Sequence, residues 1–82
     1  MYYVYLIRSL KYPNQIYIGY TKDLETRISD HNSSRSPHTA KYKPWELVVC
    51  TVFKDERAAV EFEKYLKSGS GRAFISKRFL LR

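Results

Sequence analysis

Tyr2-Tyr3-Val4-Tyr5-Leu6-Ile7-Arg8, then Lys11-Tyr12-Pro13-Asn14, then Gln15-Ile16-Tyr17-Ile18-Gly19-Tyr20 is the stretch that decides the fold. The first block is rich in tyrosine and β-branched residues and predicts a strand. The second is turn chemistry, because proline presets φ and asparagine tolerates tight geometry. The third predicts a second strand, so the pair reads as an antiparallel hairpin. Side chains alternate along a strand, which puts Tyr3 and Tyr5 on one face.

Beyond the hairpin, Thr21-Lys22-Asp23 offers helix caps, and Leu24 and Ile28 stand four apart on a helix running to about Asn32. Asn32 to Pro44 carries serine, proline, histidine and lysine and reads as a loop, long enough to suggest a functional one. Trp45 to Phe53 is a continuous apolar run, expected as a third, well-buried strand. Lys54-Asp55-Glu56 opens a helix to about Ser68. Ser68-Gly69-Ser70-Gly71 is expected to end it, with glycine relieving the backbone past the C-terminus. Arg72 to Arg82 predicts a short last helix. The order β-β-α-β-α-(α) is that of an α+β domain: a three-stranded antiparallel sheet with flanking helices.

The chain has 82 residues, with 15 Lys+Arg against 8 Asp+Glu, a formal charge of +7. That length fits one domain, 1–82, with a small core. A basic domain of this size suits a polyanion. No acid follows Glu63, whereas Lys64, Lys67, Arg72, Lys77, Arg78 and Arg82 do. This tail reads as a phosphate-tracking surface or a solvated basic face. No apolar run approaches the ~20 residues of a membrane span, and the start of the chain lacks the pattern of a signal peptide. The single cysteine, Cys50, excludes an internal disulfide framework, fits a reducing cytoplasm and is expected in the core. His31 and His38 are too few for a zinc site without cysteines. The glycine-rich segment at 68–72 lacks the spacing and lysine of a P-loop.

Two helical positions are out of place. At about 100° per residue, Ala59, Phe62 and Leu66 form a buried stripe, and Glu63 falls inside or beside it. Glu61 lies on the far side. A carboxylate facing the sheet needs a cation, an arginine or a metal ion. On the earlier helix, Arg27 and His31 are i,i+4 neighbours beside the core stripe. Arginine binds phosphate bidentately, and histidine moves protons near neutral pH, although such a pair is often only a surface feature.

Taken together, Tyr3-Val4-Tyr5, Tyr17-Ile18-Gly19, Arg27 and His31 on the next helix, and Glu63 on a later one resemble the GIY-YIG nuclease family over nearly the whole chain. The pattern is similar to the small standalone bacterial members and to the catalytic domain of the bacterial excision-repair nuclease. The first tripeptide departs from the family name by carrying Tyr3 in place of glycine. The resemblance implies the GIY-YIG fold and a metal-dependent endonuclease acting on DNA, on branched or damaged structures in repair or recombination, with RNA left open as a substrate. It implies that Tyr5 and Tyr17 point into the site, that Arg27 contacts the scissile phosphate, and that His31 assists proton transfer or orients a tyrosine. It further implies that Glu63 holds one divalent ion, Mg²⁺ or Mn²⁺, and that Gly19 lets the chain pass close to the site. Products would carry 5′-phosphate and 3′-hydroxyl ends. Arg27, Arg72, Lys77 and Arg78 are the expected nucleic-acid contacts. Tyr20 stands where some members have lysine. No asparagine follows Asn32, so substrate anchoring beyond the metal site falls to Ser70 or Arg72. With no added DNA-binding segment in the chain, a protein partner is expected to supply target choice. The rival readings are a non-catalytic nucleic-acid-binding module that keeps the fold, and a protein-interaction module that docks its basic tail on an acidic partner.

Overall fold

The structure, a computed structural model, describes residues 1–80. The hairpin forms as β1 (Tyr2–Ser9) and β2 (Ile16–Thr21), followed by α1 (Leu24–His31), α2 (Pro37–Ala40), β3 (Trp45–Phe53), α3 (Glu56–Lys67) and α4 (Gly69–Arg78). The sheet is antiparallel, in the order β2-β1-β3. Tyr5 stands opposite Gly19 on one side and Cys50 on the other; Leu6 stands opposite Ile18 and Val49. A bulge between Leu6 and Ile7 shifts the register against β3.

Because β1 is central, its side chains alternate between two covered faces. Val4 and Leu6, with Ile18 from β2, pack on Ala59 and Leu66 of α3 and Ile75 of α4. Tyr5 and Ile7 go to the opposite face, with Trp45, Tyr17, Leu24, Ile28 and Tyr42. The helices start where short polar side chains satisfy their free N–H groups. Asp23 accepts from Thr26 N at 3.2 Å, and Asp55 from Arg57 N at 3.1 Å. The Thr26 bonds also hold the Asp23 carboxyl below the ordinary aspartate range.

Three expectations are corrected. β3 is not well buried: of its nine residues only Trp45 is buried, while Leu47 is 44% and Val52 53% exposed. An apolar run has the same letters in the middle of a sheet and at its edge, and β3 is an edge strand. Cys50 is accordingly only half-buried, and what burial it has pushes its thiol pKa up. Second, the segment read as a loop contains the single turn α2, started by Pro37 directly after Ser36. Third, the 68–71 segment does not end α3 through a relaxed glycine, since no glycine has positive φ. Ser68 makes the break itself, in extended conformation, and α4 begins at Gly69 rather than Arg72. The Ser68 hydroxyl accepts from Gly71 N at 3.1 Å and donates to Tyr65 O at 2.6 Å, so one residue closes one helix and opens the next. The last helix ends at Arg78, and Leu81 and Arg82 lie outside the described residues.

Gly71 is needed for space. A Cβ there would overlap the Tyr65 carbonyl oxygen and the Leu66 Cα, both backbone atoms of α3. At Gly69 a Cβ would meet nothing within 4 Å. Gly71→Ala should therefore force the two helices apart and cost about 1–3 kcal/mol in urea unfolding. Gly69→Ala should leave stability unchanged or raise it by up to about 1 kcal/mol, since alanine is the better helix residue.

Candidate active site

The face of the sheet that carries Tyr5 holds a cluster of polar groups near edge strand β2. Tyr5 and Tyr17, from β1 and β2, have ring centroids 6.3 Å apart. A Cβ at Gly19 would fall on the Tyr5 hydroxyl. Glycine here is a demand of side-chain space: the phenol lies across β2 only because β2 has no side chain there.

The Tyr5 hydroxyl meets His31 Nε2 at 2.8 Å. His31 is fully buried, whereas the apolar residues of its helix, Leu24 and Ile28, are only half-buried. The helical pattern put His31 beside the stripe; the structure makes it the deepest residue of α1. Its imidazole lies 4.8 Å from the Tyr17 ring, centroid to centroid, and its Nδ1 meets Thr39 Oγ1 of α2 at 2.8 Å. Burial, reinforced by the Arg27 charge and opposed by Asp30, lowers the His31 pKa, so the ring is neutral near pH 7. Tyr5 is pushed up to about 12, first by burial, then by neighbouring Tyr17 and more weakly by Glu63, with Arg27 working against the rise. Tyr5 is therefore a neutral phenol whose electrostatic neighbours come from both sides of the sheet.

Arg27 is partly exposed and lies 3.8 Å from Asp30, which also meets Arg35 at 3.6 Å. Such surface pairs are weak, so the guanidinium is available to an incoming anion. Glu63, on α3 beneath the other face, keeps 21% side-chain exposure and pairs with Lys67 Nζ at 3.2 Å, one turn along the same helix. Of the partners the helical phase left open for Glu63, the structure shows a local cation, a lysine, and, among the described residues, no arginine; Glu61 is exposed, as its helical phase requires. Among the described residues no three His, Cys, Asp or Glu side chains group together as a ready metal cage. A single carboxylate still suits a hard cation that keeps its waters and takes further oxygens from a substrate phosphate, as Mg²⁺ does. Glu63 fits an ion of that kind and does not fit zinc.

A shallow cleft of about 230 Å³ runs along β2, lined by Ile16, Tyr17, Ile18, Lys67 and Arg72. Arg72 thus shares a wall with Tyr17, whereas Lys77 and Arg78 are exposed in the last turn of α4. A larger cleft of about 580 Å³, between Tyr3, Leu24, Ile28 and Leu47, is lined by none of the polar cluster. Tyr20, in the position where some GIY-YIG members have lysine, donates to Glu56 at the start of α3; that bond, followed by desolvation and the Glu56 charge, raises its pKa to about 12. The sequence marks Lys67 only as part of the basic tail and not as the partner of Glu63, and it does not mark Thr39 at all. Thr39 lies in a segment without periodicity and carried no signal. The i,i+4 spacing of Glu63 and Lys67 was a signal.

Buried, neutral His31 gives the fold a pH dependence. The unfolded chain protonates it near 6.5 and the folded chain only below that. Between those two values the unfolded state binds more protons, so this contribution is complete above pH ~6.5 and is lost as pH falls further. The thermal midpoint should decline as pH is lowered from about 7 to 5, and His31→Gln should flatten that decline.

The chain matches the family model described as "GIY-YIG catalytic domain" over residues 1–77. It is 39% identical over 67 residues to a structure-specific endonuclease subunit, SLX1, of Malassezia globosa, an overlap of 77% of this chain and 15% of that protein. It is 36% identical over 55 residues to the UPF0213 protein YazA of Bacillus subtilis, which covers 66% of this chain and 56% of the relative. The chain thus spans less than two thirds of the length of either. The solution structure of the UPF0213 protein BH0048 of Bacillus halodurans superposes with a TM-score of 0.57 at 27% identity, covering 96% of this chain and 87% of that one. With the sheet order, the two tyrosines on neighbouring strands and the match over residues 1–77 agreeing, the chain belongs to the GIY-YIG family.

Proposed function

We propose that this protein is a divalent-metal-dependent endonuclease that hydrolyses DNA phosphodiester bonds. The observation that carries the reading is the buried hydrogen bond between Tyr5 and His31, with Arg27 one turn before the histidine on α1. The Tyr5 hydroxyl meets His31 Nε2 at 2.8 Å, the Tyr17 ring lies 4.8 Å from the imidazole, and Arg27 is partly exposed beside Asp30. A binding surface has no use for a buried phenol–imidazole pair next to an arginine. Phosphodiester hydrolysis uses each part: an acceptor for the proton of the attacking water, a cation for the phosphoryl oxygens and an anchor for a divalent ion.

In this reading Arg27 leaves Asp30 to meet the scissile phosphate and stabilises the charge that builds in the transition state. The Tyr5–His31 pair takes the proton from water. Tyr17 lines the cleft with Arg72, which holds the next phosphate along β2, while Lys77 and Arg78 add longer-range attraction for the polyanion. Glu63 would hold the divalent ion, which acts as a Lewis acid on the leaving oxygen when bound. The fungal relative's description as a structure-specific endonuclease subunit supports branched DNA as the substrate class and a partner protein as the source of target choice. RNA cleavage is tested alongside.

One observation favours the rival, a binding module without catalysis: Glu63 already has a cation, Lys67, and so does not require a metal ion to be stable. Glu63→Gln separates the two. For a nuclease, Mn²⁺-dependent nicking of flap and junction substrates should be abolished, and the Mn²⁺-induced rise in the thermal midpoint of the wild type should vanish with it. Glu61→Gln should change neither. A midpoint indifferent to Mn²⁺ in the wild type, with no nicking of any substrate, leaves the binding module.

Arg27→Ala should lower the cleavage rate on the order of 10²–10³-fold while DNA affinity changes little. Single-turnover rates beside equilibrium binding check this. A normal rate with weakened binding would make Arg27 a docking residue only.

A further inference from the structure

The two nitrogens of His31 both have partners, and the partners decide which nitrogen carries the proton. Nε2 is the hydrogen-bond partner of the Tyr5 hydroxyl at 2.8 Å, and Arg27, which also acts on that oxygen, can only donate, so Nε2 is the acceptor open to the phenol's hydrogen. A neutral phenol must place its hydrogen somewhere. If Nε2 carried a hydrogen, two hydrogens would face each other or the phenol's would be left without an acceptor, a costly state in the interior. On the other side, Nδ1 meets Thr39 Oγ1, whose second neighbour is the Ser36 carbonyl oxygen at 3.2 Å. A carbonyl only accepts, so the threonine hydrogen goes to Ser36 and its oxygen is free to accept from Nδ1. One arrangement therefore satisfies the whole chain: Tyr5 O–H donates to Nε2, Nδ1–H donates to Thr39, and Thr39 O–H donates to Ser36.

We propose that Thr39 is a positioning residue that holds His31 in the Nδ1–H tautomer, so that the Nε2 lone pair faces the Tyr5 hydroxyl. Thr39 is itself held still. It is 2% exposed, and its carbonyl accepts from Trp45 Nε1 at 2.8 Å and from Tyr42 N at 3.1 Å. Trp45 is locked in turn to the residue after His31: its N–H donates to Asn32 Oδ1 at 2.6 Å, and its carbonyl accepts from Asn32 Nδ2 at 3.2 Å. The charged or titratable groups around His31 are Arg27 and Asp30 from its own helix, Tyr5 from β1 and Tyr17 from β2; none competes with Thr39 for Nδ1.

The consequence for catalysis rests on the nuclease reading. The attacking water gives one proton to Tyr5 Oη as Tyr5 gives its own to His31 Nε2. Hydroxide is delivered to phosphorus, the phenol is regenerated, and the imidazole ends with one added proton, still bonded to Thr39 through Nδ1. With Nε2 already protonated there would be no acceptor and the transfer would stop.

The test reads the tautomer directly, in the free protein, from the two-bond ¹H–¹⁵N couplings and ¹⁵N shifts of the His31 ring. The wild type and Thr39→Ser should show a proton on Nδ1. Thr39→Val, which keeps the shape and removes the acceptor, should move it to Nε2 in a substantial fraction of molecules. In cleavage assays with Mn²⁺, Thr39→Val should lower kcat about 10–100-fold with KM nearly unchanged, and Thr39→Ser should restore it. A wild-type proton on Nε2 overturns the proposal, as does a Thr39→Val spectrum identical to the wild type. If Thr39→Val does not fold, the wild-type spectrum alone decides. A chain that shows the expected tautomers but cuts no nucleic acid refutes the nuclease reading and leaves the role of Thr39 standing.

Discussion

A single strand serving two faces is the constraint on which everything else depends. β1 is paired on both edges, so no side chain of Val4 to Ile7 reaches solvent freely, and the two-residue period sorts them without exception. Val4 and Leu6 have α3 and α4 on their side and form an ordinary apolar core. Tyr5 and Ile7 are sent to the other side, which α1 and α2 cover. A phenol in that position must be buried and must have a hydrogen-bond partner. His31 is the partner, and burying it against Tyr5 commits α1 and α2 in their turn. The polar network is in this sense a result of strand alternation: one tyrosine in the middle strand requires a histidine on the first helix and a hydroxyl on the second.

The two sides of the sheet contribute differently. The tyrosine side offers a neutral phenol–imidazole pair with a partly exposed arginine beside it, loosely paired with Asp30. The α3 side offers a carboxylate held by a lysine one turn away, together with Arg72 at the start of the next helix. Both sides reach β2: the phenol extends over it because Gly19 has no side chain, and Lys67 and Arg72 line the cleft along it with Tyr17. Burial of the proton donors and partial exposure of the charged groups follow from this arrangement. Arg27 and Glu63 keep partly exposed side chains, whereas Tyr5, His31 and Thr39 are buried.

Much of the fold was legible in the letters. The alternating tyrosines, the proline–asparagine turn and the capping aspartates are local signals and mark β1, β2, α1 and the start of α3. Misreadings came where the deciding partner is distant in sequence. Nothing in Trp45–Phe53 says whether another strand lies beyond it, so its valines suggested an interior strand where the sheet ends. Ser68 carries both a stop and a start, and the glycines beside it suggested only the stop. In the site, Glu63 was marked by its helical phase, and Arg27 and His31 by their spacing. The depth of His31, its bond to Thr39 and the clamp of Asn32 on Trp45 join positions 5, 31, 39 and 45, which no periodicity connects. The one feature that was readable and missed was local: the lysine one turn beyond Glu63.

The junction at Ser68 has a consequence for how this domain tolerates change in length. Connections between helices ordinarily absorb insertions, because a few unstructured residues decouple the elements they join. Here there is no connection to lengthen. A single residue belongs to both ends, and its hydroxyl ties the Tyr65 carbonyl in the last turn of α3 to the Gly71 amide in the first turn of α4. One residue added within the first turn of α4, ahead of Arg72, would turn that side chain by about 100° about the helix axis and carry it away from the cleft wall. The angle between the two helices, and hence the spacing of Lys67 on one from Arg72 on the other, is fixed by that single serine.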